Sequence, residues 1–398
     1  MATLNFELKN QTASENVYAY ITGQALDNNN ALFLLKTDGK TPYYPTSPSS
    51  TISDLTEDCA IHLGTPGSTT TVTIPHLAGA RLWFVRDGKL TFYLNPGPAL
   101  VEPSPSNTTD PNYNLFWDFC EFTWNDAQLY VNITYVDFVS LPIALTLTNA
   151  AGENKTVPGL PANGLDTICS ELQAQHARDN VGWDKLVVTN ENGANLRAPY
   201  VDQVWSKYTG ATLTVNTQAA AGDVTGSVVN GKLTFSPGNI AYDQPSTADV
   251  FSNSSGAFAV SGDPTKDAVT ARLAAALNRT TLLSNPIQPN GENVADYYQG
   301  AVTNHFSRIC HEVTIGGSGY AFPYDDVAPS DGADQSGSAF DANPKLLTVT
   351  VGGGAVGSNL NQNSADHANI PPAQGDPGDV EKKSRLHGLK KLVHKFSH

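Results

Sequence analysis

Two acids stand out in a stretch that is otherwise apolar and aromatic. Over Asn114–Leu147 the chain reads N-L-F-W-D-F-C-E-F-T-W-N-D-A-Q-L-Y-V-N-I-T-Y-V-D-F-V-S-L-P-I-A-L-T-L. Its period-2 alternation of β-branched and aromatic residues predicts two long strands, about Phe116–Trp124 and Leu129–Val139, around a turn at Asn125–Gln128. On the first strand Phe119, Glu121, Thr123 and Asn125 share one face, and Cys120, Phe122 and Trp124 share the other. With the hairpin centred near Leu129, Glu121 and Asp137 come out roughly opposite each other. A carboxylate among apolar side chains costs free energy unless it is paired or used. Glycoside hydrolysis uses such a pair: one carboxylic acid protonates the leaving oxygen and one carboxylate activates water. The blander account is two solvent-face acids on a half-exposed hairpin.

Other chemistry finds little support. Gly352-Gly353-Gly354-Ala355-Val356-Gly357 satisfies G-x-G-x-x-G after a strand, but an Asn-rich coil follows where a phosphate-binding helix is needed. His311-Glu312 lacks the second His that a zinc peptidase requires, and no other His pair has ligand spacing, so no metal is expected. In Gly317-Ser318-Gly319, Tyr320 stands where the closing Gly of a nucleophile elbow should be.

The elements that would hold the two acids are mostly strands. Gly (33) and Pro (25) are frequent among the 398 residues and only one Met occurs, which suits many short strands joined by turns. Asn5–Lys9, Val17–Thr22, Ala31–Lys36, Thr69–Ile74, Ala80–Val85 and Lys89–Leu94 all carry strand patterns at the spacing of a sandwich or barrel. From Leu165 the period changes to that of helices, over Asp166–Asp179, Pro264–Asn278 and Asn293 to about Cys310. Leu346–Val351 reads as a last strand returning to the first domain. The expected division is a β-barrel domain over 1–160 with a returning strand at 340–352, a mixed α/β domain over 161–339, and a tail over 353–398. The tail is a Gly-, Pro- and Asn-rich linker followed by a basic segment with Leu386, Leu389, Val393 and Phe396 on one helical face.

Charge and cysteine usage bound the partners. The formal net charge is −15, and the last eighteen residues hold six of the 23 basic residues, so the body is more acidic still. That body would repel nucleic acid and favours a neutral ligand. No run of eighteen apolar residues occurs, so no membrane-spanning helix is expected. Met1–Asn10 reads as a strand rather than a signal peptide. Six N-x-S/T sequons, at Asn10, Asn107, Asn132, Asn154, Asn253 and Asn278, point to a secreted glycoprotein whose leader is absent from this chain. Four cysteines then suggest two disulfides. Three pairings are possible, proximity favours Cys59–Cys120 with Cys169–Cys310, and four buried free thiols are the alternative.

Glu121-Phe122-Thr123, followed sixteen residues later by Val136-Asp137-Phe138-Val139 and Leu141-Pro142-Ile143, resembles the glycoside hydrolase family 64 β-1,3-glucanases of the laminaripentaose-producing type. Arg81-Leu82-Trp83-Phe84, the Asn304–Glu312 helix and Tyr320–Val327 are similar to the family as well, so the resemblance covers about residues 1–352. It implies a thaumatin-like β-barrel domain and an α/β domain flanking a wide groove for a glucan chain. It further implies an inverting, cofactor-free endo-β-1,3-glucanase, with Glu121 matching the general acid and Asp137 the general base. Thr123 and Asn125 match groove residues that hold the sugar, and Tyr130 stands near a family tryptophan, which suggests stacking. A monomer is expected. The competing function is a non-catalytic β-glucan-binding protein of thaumatin-like architecture, which would need neither acid.

Overall fold

The computed structural model describes residues 2–187, 198–238, 240–330, 332 and 334–353. Of the linker and basic tail expected over 353–398, all beyond residue 353 lies outside the described residues.

Strand alternation builds two sheets that face each other across one apolar core. In the Leu4–Asn10 strand, Leu4, Phe6 and Leu8 point inward while Asn5, Glu7 and Lys9 point away. This strand lies parallel to Pro344–Val351 and antiparallel to Thr69–Ile74, in a five-stranded sheet completed by Ile143–Asn149 and Asn154–Val157. The final described strand thus closes a sheet begun by the first one.

The second sheet runs Ser338–Asp341, Leu129–Ile133, Phe116–Trp124, Leu77–Arg86, Val17–Ala25, Ala31–Leu35 and Pro42–Tyr43, with Ile61–His62 also paired to Val17–Ala25. Cys120, Phe122 and Trp124 face the first sheet, and Phe122 meets Phe6 edge-on with ring centroids 5.1 Å apart. Phe122 is 1% exposed, and burying a side chain of this kind stabilises by roughly 1.5–3 kcal/mol. The opposite face of the same sheet carries a second apolar layer of Tyr20, Trp83, Trp117 and Phe119, covered by Cys59, Leu90 and Phe92. One end of this outer face is therefore roofed, and Glu121 lies just past the roof.

Helix α1 (Gly164–Asp179) packs on the first core through Ile168 and Leu172. A separate core surrounds a five-stranded sheet of Ile240–Tyr242, Lys232–Ser236, Asp223–Val229, Leu213–Asn216 and Ile287–Gln288. It is covered by α2 (Ala198–Gly210), whose periodicity escaped the sequence reading, by α3 (Thr247–Ser252) and by α4 (Pro264–Arg279). Asp263 caps α4 by accepting from the Thr265 and Lys266 amides ahead of a first-turn Pro, the signal that makes its start legible. The helix expected from Asn293 to Cys310 is not continuous. Val294–Asp296 forms one 3-10 turn, Tyr298 adopts a left-handed φ of 61°, and only α5 (His305–Val313) is a regular helix. Among the described residues, no helix is long and apolar enough to cross a membrane.

Candidate active site

Glu121 sits in the middle of the Phe116–Trp124 strand, half-buried, directly opposite Arg81 on one neighbour and Asn132 on the other. Arg81 is 7% exposed and lies against the rings of Phe119 and Trp83, with its Cζ 4.7 and 5.5 Å from their centroids. Its Nε donates to Glu121 Oε1 at 3.1 Å, and its Nη1 pairs with Glu102, which follows the Ala99–Val101 strand of the roof. Burial opposes the guanidinium charge, but Glu102, Glu121 and Asp137 more than offset it and hold Arg81 above its ordinary value. Three carboxylates therefore converge on one buried cation.

Asp137 reaches this cluster by a route the alternation did not predict. The second strand ends at Ile133, and Glu121 pairs across the ladder with Asn132, so the two acids are not cross-strand partners. The strand ends because Tyr320 takes over the pairing. Thr134 forms a parallel bridge to Tyr320, and the Tyr135 amide donates to the Tyr320 carbonyl at 2.6 Å. Gly319 permits this approach, since a Cβ there would stand 2.3 Å from the Tyr135 ring. From Tyr135 the chain leaves the sheet, and Phe138 packs edge-on against Trp117 with centroids 4.5 Å apart. Asp137 is carried on this loop, half-buried and within electrostatic reach of Arg81.

The other expected site residues share the Glu121 face. Thr123 lies opposite Tyr130, which in turn lies opposite Phe340 on the Ser338–Asp341 edge strand. The Tyr130 and Phe340 rings are nearly parallel, 17° apart with centroids at 6.5 Å, and Phe340 is 48% exposed. The Tyr130 and Tyr320 hydroxyls are 3.3 Å apart. Burial, helped by Asp326 and Asp334, raises the Tyr320 phenol well above its ordinary value, so it stays a hydroxyl. Asn125 closes the hairpin turn, its side-chain oxygen accepting from the Ala127 and Gln128 amides at 2.9 and 3.0 Å. Glu102, Asp118 and Phe340 carry no signal in the sequence reading, and Arg81 and Tyr320 enter it only within stretches that resemble the family, though a charge inside the run Arg81-Leu82-Trp83-Phe84 was itself a signal.

The expected disulfides are absent, and all four cysteines are free thiols. Cys59 belongs to the cover of the outer face while Cys120 points into the core between the sheets, so the central sheet separates them. Cys310 is buried in that same core and Cys169 is half-buried on α1. Burial pushes the Cys59 thiol up to about 12 and that of Cys169 to about 11. The sequons divide sharply as well. Asn10, Asn132, Asn253 and Asn278 are each 4% exposed or less, whereas Asn107 and Asn154 lie on the surface.

The family model described as "Beta-1,3-glucanase", that of glycoside hydrolase family 64, matches residues 2–351. Glucan endo-1,3-beta-glucosidases from Cellulosimicrobium cellulans and Arthrobacter sp. (strain YCWD3) are each 29% identical over 305 residues, or 71% of this chain and 53% of theirs. The chain thus spans about half the length of the curated relatives it matches. A laminaripentaose-producing β-1,3-glucanase crystallised with laminaritetraose superposes with a TM-score of 0.77 at 28% identity, covering 88% of this chain and 98% of that one. The β-1,3-glucanase domain from Clostridium beijerinckii, at 22% identity and a TM-score of 0.70 over 88% and 98% of the two chains, shares the fold. By the family match over nearly all its described residues, the chain belongs to glycoside hydrolase family 64.

Proposed function

We propose that the chain is an endo-acting β-1,3-glucanase that cleaves laminarin and fungal-wall glucan with inversion, releasing short oligosaccharides such as laminaripentaose. Glu121 is the general acid and Asp137 the general base. The observation that carries this reading is the convergence of both acids on Arg81, at the open end of a strand face lined by Thr123 and Tyr130. An acid on a rigid strand and a base on a separate loop suit inversion, in which a water must fit between base and sugar.

Tyr130 supplies a stacking face and Thr123 a hydroxyl to the sugar. With the Asn125 oxygen held by its turn, a glucan would meet the Asn125 amide nitrogen. On this reading a thaumatin-like barrel covers 1–160, closed by the strand in 340–352, and a mixed α/β domain covers 161–339, with α1 and α5 packed on the barrel core and the glucan groove between the two. The protein works as a secreted monomer without cofactor.

The test is reducing-sugar release from laminarin, followed by proton NMR before mutarotation. An α-anomer released first supports the scheme. A β-anomer would mean retention and wrong roles for Glu121 and Asp137. Binding of laminarin without any hydrolysis would favour the non-catalytic glucan-binding reading instead.

A further inference from the structure

The Phe116–Trp124 strand carries a second acid, Asp118, on the face opposite Glu121. It is 3% exposed and lacks a cationic partner among its hydrogen bonds. Both of its oxygens are instead occupied by backbone amides. Oδ1 accepts from its neighbour Phe119 at 2.8 Å, and Oδ2 accepts from Ser140 at 2.9 Å and Leu141 at 3.1 Å. Ser140 and Leu141 end the loop that bears Asp137.

That loop is fixed at three points. Tyr135 is tied to the Tyr320 carbonyl before Asp137, Phe138 is seated on Trp117 just after it, and Asp118 grips the far end. Trp117 and Asp118 both belong to the strand that also holds Glu121, and of the two only Asp118 holds the loop by hydrogen bonds to its backbone. Hydrogen bonds from backbone amides are directional, and a buried carboxyl unable to accept them would be costly. Burial pushes Asp118 up to about 7 in spite of its three amide donors, so the site keeps this group at a real energetic cost. An asparagine could not substitute freely, because its NH2 would face an amide N–H on one side or the other.

We infer that Asp118 is a positioning residue for the general base: by holding Ser140 and Leu141 it fixes the distance of Asp137 from the strand that carries Glu121. The inference rests on the roles proposed above for Glu121 and Asp137.

The experiment compares laminarin with a dinitrophenyl laminari-oligosaccharide, whose leaving group needs little help from the acid. A defect in the base persists on the activated substrate, and a defect in the acid is relieved. Asp118→Asn should lower kcat roughly 10–100-fold on both substrates while KM stays within about twofold, as expected for a lost orienting contact. Glu121→Gln should recover on the activated glycoside, and Asp137→Asn should not.

A folded Asp118→Asn enzyme with unchanged kcat would overturn the inference. So would a loss confined to laminarin, or one seen only in KM. If Asp118→Asn does not fold, replacing Ser140 by its α-hydroxy acid removes a single N–H donor. The same fall on both substrates is then expected, and unchanged kcat overturns the inference. Failure of the functional reading itself looks different: wild type would not hydrolyse laminarin, or Asp137→Asn would remain active.

Discussion

Arg81 places Nε and Nη2 each 3.1 Å from the same oxygen of Glu121 while its Nη1 pairs with Glu102 on the roof. The guanidinium thus ties the sheet to its cover and sets the orientation of the Glu121 carboxylate. Its second oxygen is the one that can face a ligand. Stacking on Phe119 fixes the plane of the fork, which a lysine could not reproduce.

Arg81→Met should therefore fail in two ways. It leaves Glu102, Glu121 and Asp137 without their shared counter-charge, and it removes a buried planar group from the aromatic layer. Breaking a fully buried pair costs roughly 3–5 kcal/mol, and the partial exposure of Glu102 and Glu121 reduces this to about 2 kcal/mol. Urea unfolding measures that loss. Arg81→Lys should retain most of the stability yet lower kcat roughly tenfold, since the charge remains and the fork does not.

Glu121→Gln and Asp137→Asn should each reduce turnover of laminarin by roughly 10²–10⁴-fold, the usual contribution of a positioned acid or base. Because neither side chain belongs to an apolar core, thermal unfolding should move little, and laminari-oligosaccharide binding by calorimetry should persist. Loss of binding in parallel with turnover would make the two acids sugar ligands rather than proton-transfer groups.

The aromatic pair beyond Thr123 bears on affinity. The rings of Tyr130 and Phe340 lie nearly parallel at the outer edge of the sheet, with Phe340 half in solvent. Stacking of this kind contributes about 0.5–1.5 kcal/mol per ring, so Tyr130→Ala should raise KM for laminarin roughly two- to tenfold with kcat little changed. Tyr130→Phe keeps the ring and loses the hydroxyl contacts with Tyr320 and Ser338, so its KM should stay within about twofold of wild type.

Strands and caps were legible because they are local. Phe116–Trp124 follows from period-2 alternation, and α4 from Asp263-Pro264 followed by an apolar stripe. The path to Asp137 was not, because Val136, Phe138 and Val139 continue a strand-like pattern for a different reason. Phe138 and Val139 pack against apolar layers on leaving the sheet, and the residue that ends the pairing, Tyr320, is nearly two hundred positions away. The meeting of Arg81 with Glu121 and Glu102 is similarly non-local. As for the cysteines, their even number carried no information on which face of the sheet each occupies.

The thiols and sequons give a prediction independent of catalysis. A disulfide reagent at pH 8 should titrate almost nothing in the native protein and four thiols after denaturation, since burial raises every thiol well above that pH. Expressed through a glycosylating pathway, the folded chain should carry glycans at Asn107 and Asn154 only. Asn10, Asn132, Asn253 and Asn278 have no room for one, and peptide mapping by mass spectrometry distinguishes the cases.

The last prediction follows from the direction in which Asp118 titrates. Burial raises its carboxyl from 3.8 to about 7 in the fold, against the pull of three amide donors. Between about pH 4 and pH 7 the native protein therefore holds a proton that the unfolded chain has released. Where the native state binds more protons, stability falls as pH rises. The contribution of this group is fully present below about pH 4 and is lost as pH climbs through 7. Asp118→Asn cannot titrate and removes that slope, whatever its own constant cost to the fold. Unfolding midpoints of both proteins, measured in urea at intervals from pH 4 to pH 8, should converge as pH rises. Parallel curves would mean that Asp118 stays ionised throughout, with its amide donors outweighing its burial.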